Sequence, residues 1–90
     1  MRKAGTASQP PSAAKERSSR RVVDQAAGVL ILALRLNPDT AAHLLSGVAR
    51  RHLLTEERLG AAVLAAASGA HLDDPLARKV AWQEWGDLLL

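Results

Sequence analysis

The chain has no cysteine, phenylalanine or tyrosine, and its only aromatic residues are Trp82 and Trp85. Without cysteine there is no disulfide staple and no thiol nucleophile, a usage that fits a reducing compartment such as the cytoplasm. With both aromatics near the end of the chain, the core has to be built from Leu, Val and Ala. Long apolar runs are also missing. The longest uncharged apolar stretch, Ala26 to Leu34, is nine residues, well short of the roughly 20 that a membrane span needs. It also begins after a polar segment too long for the n-region of a signal peptide. A glycine-rich phosphate loop and a Gly-x-Ser-x-Gly elbow are absent. His43, His52 and His71 show neither His-x-x-x-His nor Glu-x-x-His spacing. These absences argue against an enzyme, a metal site, a cofactor, a small-molecule substrate and a membrane partner.

Charge is unevenly spread. Met1 to Arg21 holds six basic residues against Glu16 alone, a net +5, while the remainder holds six basic and eight acidic residues, a net −2. The basic segment is rich in Ser, Ala and Pro and has no large apolar residue after Met1. It cannot bury enough surface to order itself, so disorder is expected over residues 1–18. Three roles are open to it: a solvated tail, an arm that attracts nucleic acid, or an organellar transit peptide.

Four helices are expected beyond the tail, and no strand. The first spans Ser19 to Leu36. At about 100° per residue, Val22, Ala26, Val29, Ala33 and Leu36 form one apolar stripe, and Val23, Ala27, Leu30 and Leu34 form a second beside it. Only Asp24, Gly28 and Arg35 make a polar strip, with Gln25 at its edge. A helix apolar nearly all round is covered on several sides, and in so short a chain this points to a second subunit. Asn37 caps the second helix with Pro38 at its first position, and Ala41, Leu44, Leu45 and Val48 give its apolar face. Thr55 caps the third, with Leu59, Ala62, Val63 and Ala66 facing inward and Gly69 closing it. Asp74 caps the fourth, which carries Leu76, Val80, Trp85, Leu88 and Leu89.

Three features lead toward function. Gly28 costs a helix interior about 1 kcal/mol relative to Ala, and a position without a side chain lets another backbone approach closely. Arg50 and Arg51 end the second helix, where they complement the helix dipole or pair with phosphate. Trp82 and Trp85 either pack or stack on bases.

The segment from Val22 to Leu64 resembles the ANTAR domain, a bacterial RNA-binding module of transcription antiterminators. The family's first helix reads "I-x-Q-A-x-G-x-L-M", matched here by Val23, Gln25, Ala26, Gly28, Leu30 and Ile31. Its second reads "E-A-x-x-x-L", with Thr40 in the acid's place and Ala41 and Leu45 matching. Its third, "L-x-x-V-A", has its counterpart near Leu59 and Gly60. The chain departs from the pattern where Ala27 replaces a common basic residue, at Leu32 to Leu34, at Ala42 and at Ser46 and Gly47. The resemblance implies a three-helix domain that works as a dimer in the cytoplasm, binding paired hairpin loops in an mRNA leader so that a terminator hairpin cannot form.

The expectation is therefore all-α: a small three-helix ANTAR-like bundle over residues 19–69, a C-terminal amphipathic helix over 70–90 and a disordered N-terminal tail. The expected RNA contacts are Gln25, Gly28, Arg35, Arg50 and Arg51, assisted by Arg20 and Arg21. The expected contacts in a homodimer, or a heterodimer with a related protein, are Val22, Leu30, Leu34, Trp82 and Trp85. The alternative is an interaction module of the same fold that no longer binds RNA. A DNA-binding helix-turn-helix ranks below both, because the third helix carries only one basic residue, Arg58.

Overall fold

The structure, a computed structural model, describes residues 11–89 as four helices: α1 (Pro11–Leu34), α2 (Pro38–Arg51), α3 (Glu56–Ser68) and α4 (Pro75–Leu89). No strand occurs among the described residues. The expected capping residues make the turns. Asn37 Oδ1 accepts the Thr40 amide at 2.8 Å and Thr55 Oγ1 accepts that of Arg58 at 3.1 Å. Asp74 Oδ1 accepts the Ala77 amide at 3.2 Å. Gly69 takes the left-handed conformation, with φ 73°, directly after α3.

Two of the three helix endings place a side chain where glycine is usual. Arg35 and Leu53 each have φ 57°, a conformation that costs an L-residue roughly 1–2 kcal/mol. After α1 the Leu36 amide reaches back to the Ile31 carbonyl at 3.1 Å, and after α2 the Leu54 amide reaches Ala49 at 2.8 Å. The second turn throws Leu53 into solvent, 91% exposed, and sends Leu54 into the core.

The first helix differs from expectation at both ends. It begins at Pro11 rather than Ser19 and stops at Leu34 rather than Leu36. Residues 11–18 are thus helical, and the expected disorder of residues 1–10 lies outside the described residues. Proline suits a first helical position, and Ala13, Ala14, Lys15, Glu16 and Arg17 are strong helix formers. Once the buried part of α1 has nucleated the helix, extending it by a turn or two is cheap. Ala14 to Ser18 are all exposed, and Lys15 and Glu16 line a depression shared with Glu56 and Glu57 of α3.

The core is aliphatic, as the lack of aromatics requires. Leu30, Leu45, Val48, Leu59, Val63 and Val80 are its largest fully buried side chains, with Ala26, Ala41, Ala62, Ala77 and Ala81 between them. Helix α3 is the hub, packing on α1 along one side and on α4 along the other. Gly60 makes the first contact possible. A Cβ there would lie 3.3 Å from Ala26 Cβ and 3.4 Å from both Val22 Cγ1 and the Val22 carbonyl oxygen. The close approach expected of Gly28 is, within the chain, made by Gly60; a Cβ on Gly28 would meet nothing within 4 Å.

Helix α4 is fastened to α3 by charge as well as packing. Arg58 Nε and Nη2 donate to the two oxygens of Asp74, each at 2.8 Å. This fork, then the Ala77 amide, holds the Asp74 carboxyl at about 2, below its ordinary 3.8.

Two outcomes follow for stability. Gly60→Leu should destabilise the chain by roughly 1–3 kcal/mol through overpacking, whereas Gly28→Ala should stabilise it by about 1 kcal/mol. Thermal unfolding followed by circular dichroism checks both, and an unchanged midpoint for Gly60→Leu would contradict the close contact. Because folding lowers the Asp74 pKa, its contribution is complete above about 3.8 and is lost as pH falls through about 2. Wild type should therefore exceed Asp74→Asn in stability at neutral pH, and denaturant titrations should show the gap closing over that acid range.

Candidate functional site

The basic side chains of the described residues fall into separate groups. On α2, His43, Leu44, Gly47, Val48, Arg50 and Arg51 line a shallow groove. His43, Gly47, Arg50 and Arg51 recur at i, i+4, i+7 and i+8, so they share one helical face. Gly47 is part of this lining, and a Cβ there would meet nothing within 4 Å. His43 Nδ1 donates to the Asp39 carbonyl at 2.8 Å, which leaves Nε2 facing outward as an acceptor when the ring is neutral and as a donor when it is protonated.

Arg51 reaches Glu84 of α4 at 3.5 Å, and His52 approaches the same carboxylate at 3.8 Å. The Arg51 side chain is 65% exposed, and exposed pairs of this kind are worth roughly 0.2–1 kcal/mol. That is less than the roughly 1.5–3 kcal/mol of a hydrogen bond to a charged group. Arg51 is therefore positioned by Glu84 but remains free to exchange it for another anion. Arg50 and Arg51 are thus brought together with His43 and Gly47, two residues the sequence reading did not select. The signal was available in the spacing of His43, Gly47, Arg50 and Arg51, but a surface histidine and a helical glycine have ordinary explanations when taken singly.

The other expected contacts lie elsewhere. Gln25 and Arg21 are exposed on α1, and Arg35 is exposed in the turn that follows it. Arg20 lines a depression between α1 and the start of α3 together with Lys15, Glu16, Asp24, Glu56 and Glu57. Two cations among four carboxylates do not attract phosphate.

The expected partner contacts need larger correction. Leu30 is fully buried and Trp85 is 4% exposed; both are taken up by the chain's own core, which leaves neither for a second subunit. Val22 and Leu34 are half-buried, Val22 against Gly60 and Leu34 against the core. Trp82 remains accessible at 43%, and Leu32, on the outer side of α1, is 83% exposed.

Arg58, the one basic residue of α3, is held in its fork by Asp74. The third helix therefore offers no free cation for reading a DNA groove, and the helix-turn-helix reading loses its recognition helix. Among the described residues no cluster of His, Cys, Asp and Glu could hold a metal, and no helix is long and apolar enough to cross a membrane.

No curated protein and no solved structure matches the chain. The family model of the ANTAR domain matches residues 12–64. It covers α1 and α2 and more than half of α3, including the helical stretch before Val22, and leaves α4 outside. A match over more than half of the 90 residues, all of it on helices, places this chain in the ANTAR-domain family of RNA-binding antiterminators.

Proposed function

We propose that the chain binds RNA as a dimer and regulates transcription by antitermination, holding hairpin loops of an mRNA leader so that a terminator hairpin cannot form. The observation that carries this reading is the groove on α2. It gathers two arginines and a histidine around Gly47 inside the segment that matches the family. Arginine pairs bidentately with phosphate, and the absent side chain at Gly47 lets a backbone come close to the helix. Gln25, Arg21 and Arg35 share the outer face of α1 and its turn with Gly28 and Leu32, so they are counted with the dimer face and not with the RNA contacts. Arg20, among carboxylates, is left out of the contact set.

The dimer contact is assigned to the outer face of α1. There Gln25, Gly28 and Leu32 follow one another at helical spacing, Gly28 has open space above it and Leu32 is largely exposed. That same exposed leucine favours a second reading, in which the fold is retained for pairing with a related protein and RNA has been lost.

Titration of the chain against a tandem-hairpin leader RNA and a scrambled control, at two salt concentrations, separates the two readings. The hairpin RNA should bind more tightly than its control. Arg50→Gln with Arg51→Gln should weaken binding and reduce the slope of log affinity against log salt by about 0.7–0.9 for each arginine that contacts phosphate. Gly47→Glu, which meets nothing within 4 Å at its Cβ, should keep the fold and abolish binding. Equal affinity for both RNAs, unchanged by these variants, would leave the interaction module as the better account. For the dimer, Gly28→Leu should preserve helicity while lowering the mass seen by sedimentation, and an unaltered dimer would remove Gly28 from the contact.

A further inference from the structure

Helix α4 carries a feature that the α2 groove does not use. Its two tryptophans, three residues apart, have opposite fates: Trp85 enters the core and Trp82 stays 43% exposed. The exposed ring is not loosely placed. A Cβ on Gly86 would overlap the six-membered ring of Trp82, so the glycine one turn later gives the indole room to lie along the helix. The ring forms one wall of a groove between the end of α3 and α4. Ala62, Ala65 and Ala66 lie beneath it, and His71 and Arg78 supply its polar side. The lining contains no carboxylate.

Two acids elsewhere on the molecule are paired. Asp74 is held by Arg58 and Glu84 by Arg51. A flat aromatic wall, a floor of small apolar residues and a guanidinium four residues before the ring match the two parts of a nucleotide. The base has a π-face to stack on indole, and the phosphate carries the charge that Arg78 lacks. An aliphatic side chain of a protein partner would also fit the floor, but it would leave Arg78 and His71 without a complement.

We infer that the α3–α4 groove is a second RNA contact, in which Trp82 stacks on an unpaired base and Arg78 receives the adjoining phosphate. The inference rests on the RNA-binding reading and deepens it. The α2 groove takes the backbone of the hairpin, and α4, which lies outside the family match, takes a single-stranded nucleotide.

The test uses the full chain and two probes, single-stranded hexaadenylate and the tandem-hairpin RNA. Hexaadenylate should quench the emission of Trp82, which can be read in a Trp85→Phe background. Trp82→Ala should weaken hexaadenylate binding roughly tenfold, within the range for loss of one base stack. Arg78→Gln, at an exposed position that leaves the core intact, should weaken it as well and flatten the salt dependence. Trp82→Phe should recover part of the affinity, which a purely structural role for the indole would not require.

The inference is overturned if emission is unchanged by hexaadenylate, or if Arg78→Gln and Trp82→Ala bind both RNAs as wild type does. It is also overturned if Trp82 emission shifts with protein concentration alone and RNA does not reverse the shift, since the groove would then hold a second copy of the chain. Hairpin binding that survives these variants but is lost on Arg50→Gln with Arg51→Gln would sink this contact and leave the α2 reading standing. Hexaadenylate binding without hairpin binding would do the reverse.

Discussion

The contact between the backbones of α1 and α3 at Gly60 is the constraint on which the rest of the molecule depends. A core with one buried aromatic and many alanines cannot fill wide spaces between helices. It becomes dense only if the helices come close, and interhelical separation is set by the side chains at the crossing. Gly60 against Val22 and Ala26 provides that crossing. Leu30, Leu59 and Val63 then close around it, and α4 docks on the opposite side of α3 with Val80, Ala81 and Trp85. A larger residue at Gly60 would therefore disturb more than one pair of helices.

The same economy divides the surface by role. Apolar residues that look surplus on a helical wheel are mostly absorbed, because α1 is covered by both α2 and α3. What remains outside is sparse: Leu32 on α1, Leu53 at a turn, and Leu76, Trp82 and Leu88 on α4. The cations are divided in a similar way. Arg58 is spent on holding α4, Arg20 sits among acids, and Arg50 and Arg51 keep exposed guanidinium groups on α2. Two arginines in one short chain can thus be structural clamp and available ligand, and the difference is a bidentate carboxylate at 2.8 Å against a single exposed contact at 3.5 Å.

Much of this was legible in the sequence. The turns at Asn37, Thr55, Gly69 and Asp74 are where capping chemistry puts them, because a cap is a local interaction between neighbours in the chain. The family resemblance was legible for the same reason, as order and spacing within successive helices. The start of α1 was not: composition measures whether a segment can build its own core, whereas residues 11–18 are helical as an extension of a helix anchored elsewhere. Leu30 and Trp85 were misplaced because periodicity identifies an apolar face without saying which neighbour covers it. The grooves on α2 and between α3 and α4 needed the third dimension, since Gly47, Gly60 and Gly86 read alike as helical glycines and differ only in what stands opposite them.

The central crossing also bears on how the chain assembles. Its members, Val22 and Gly60, are far apart in sequence, and closing a flexible loop of about 38 residues costs on the order of 3 kcal/mol in chain entropy. Helix α2 lies wholly inside that loop, capped by Asn37 before it and followed by the tight turn at Leu53. Each residue it orders is one fewer for the closure to restrain. The turn that leaves Leu53 exposed thus does more than finish a helix: once α2 is formed, it sets the direction from which α3 arrives at α1, and only two short connections are left for the closure to restrain.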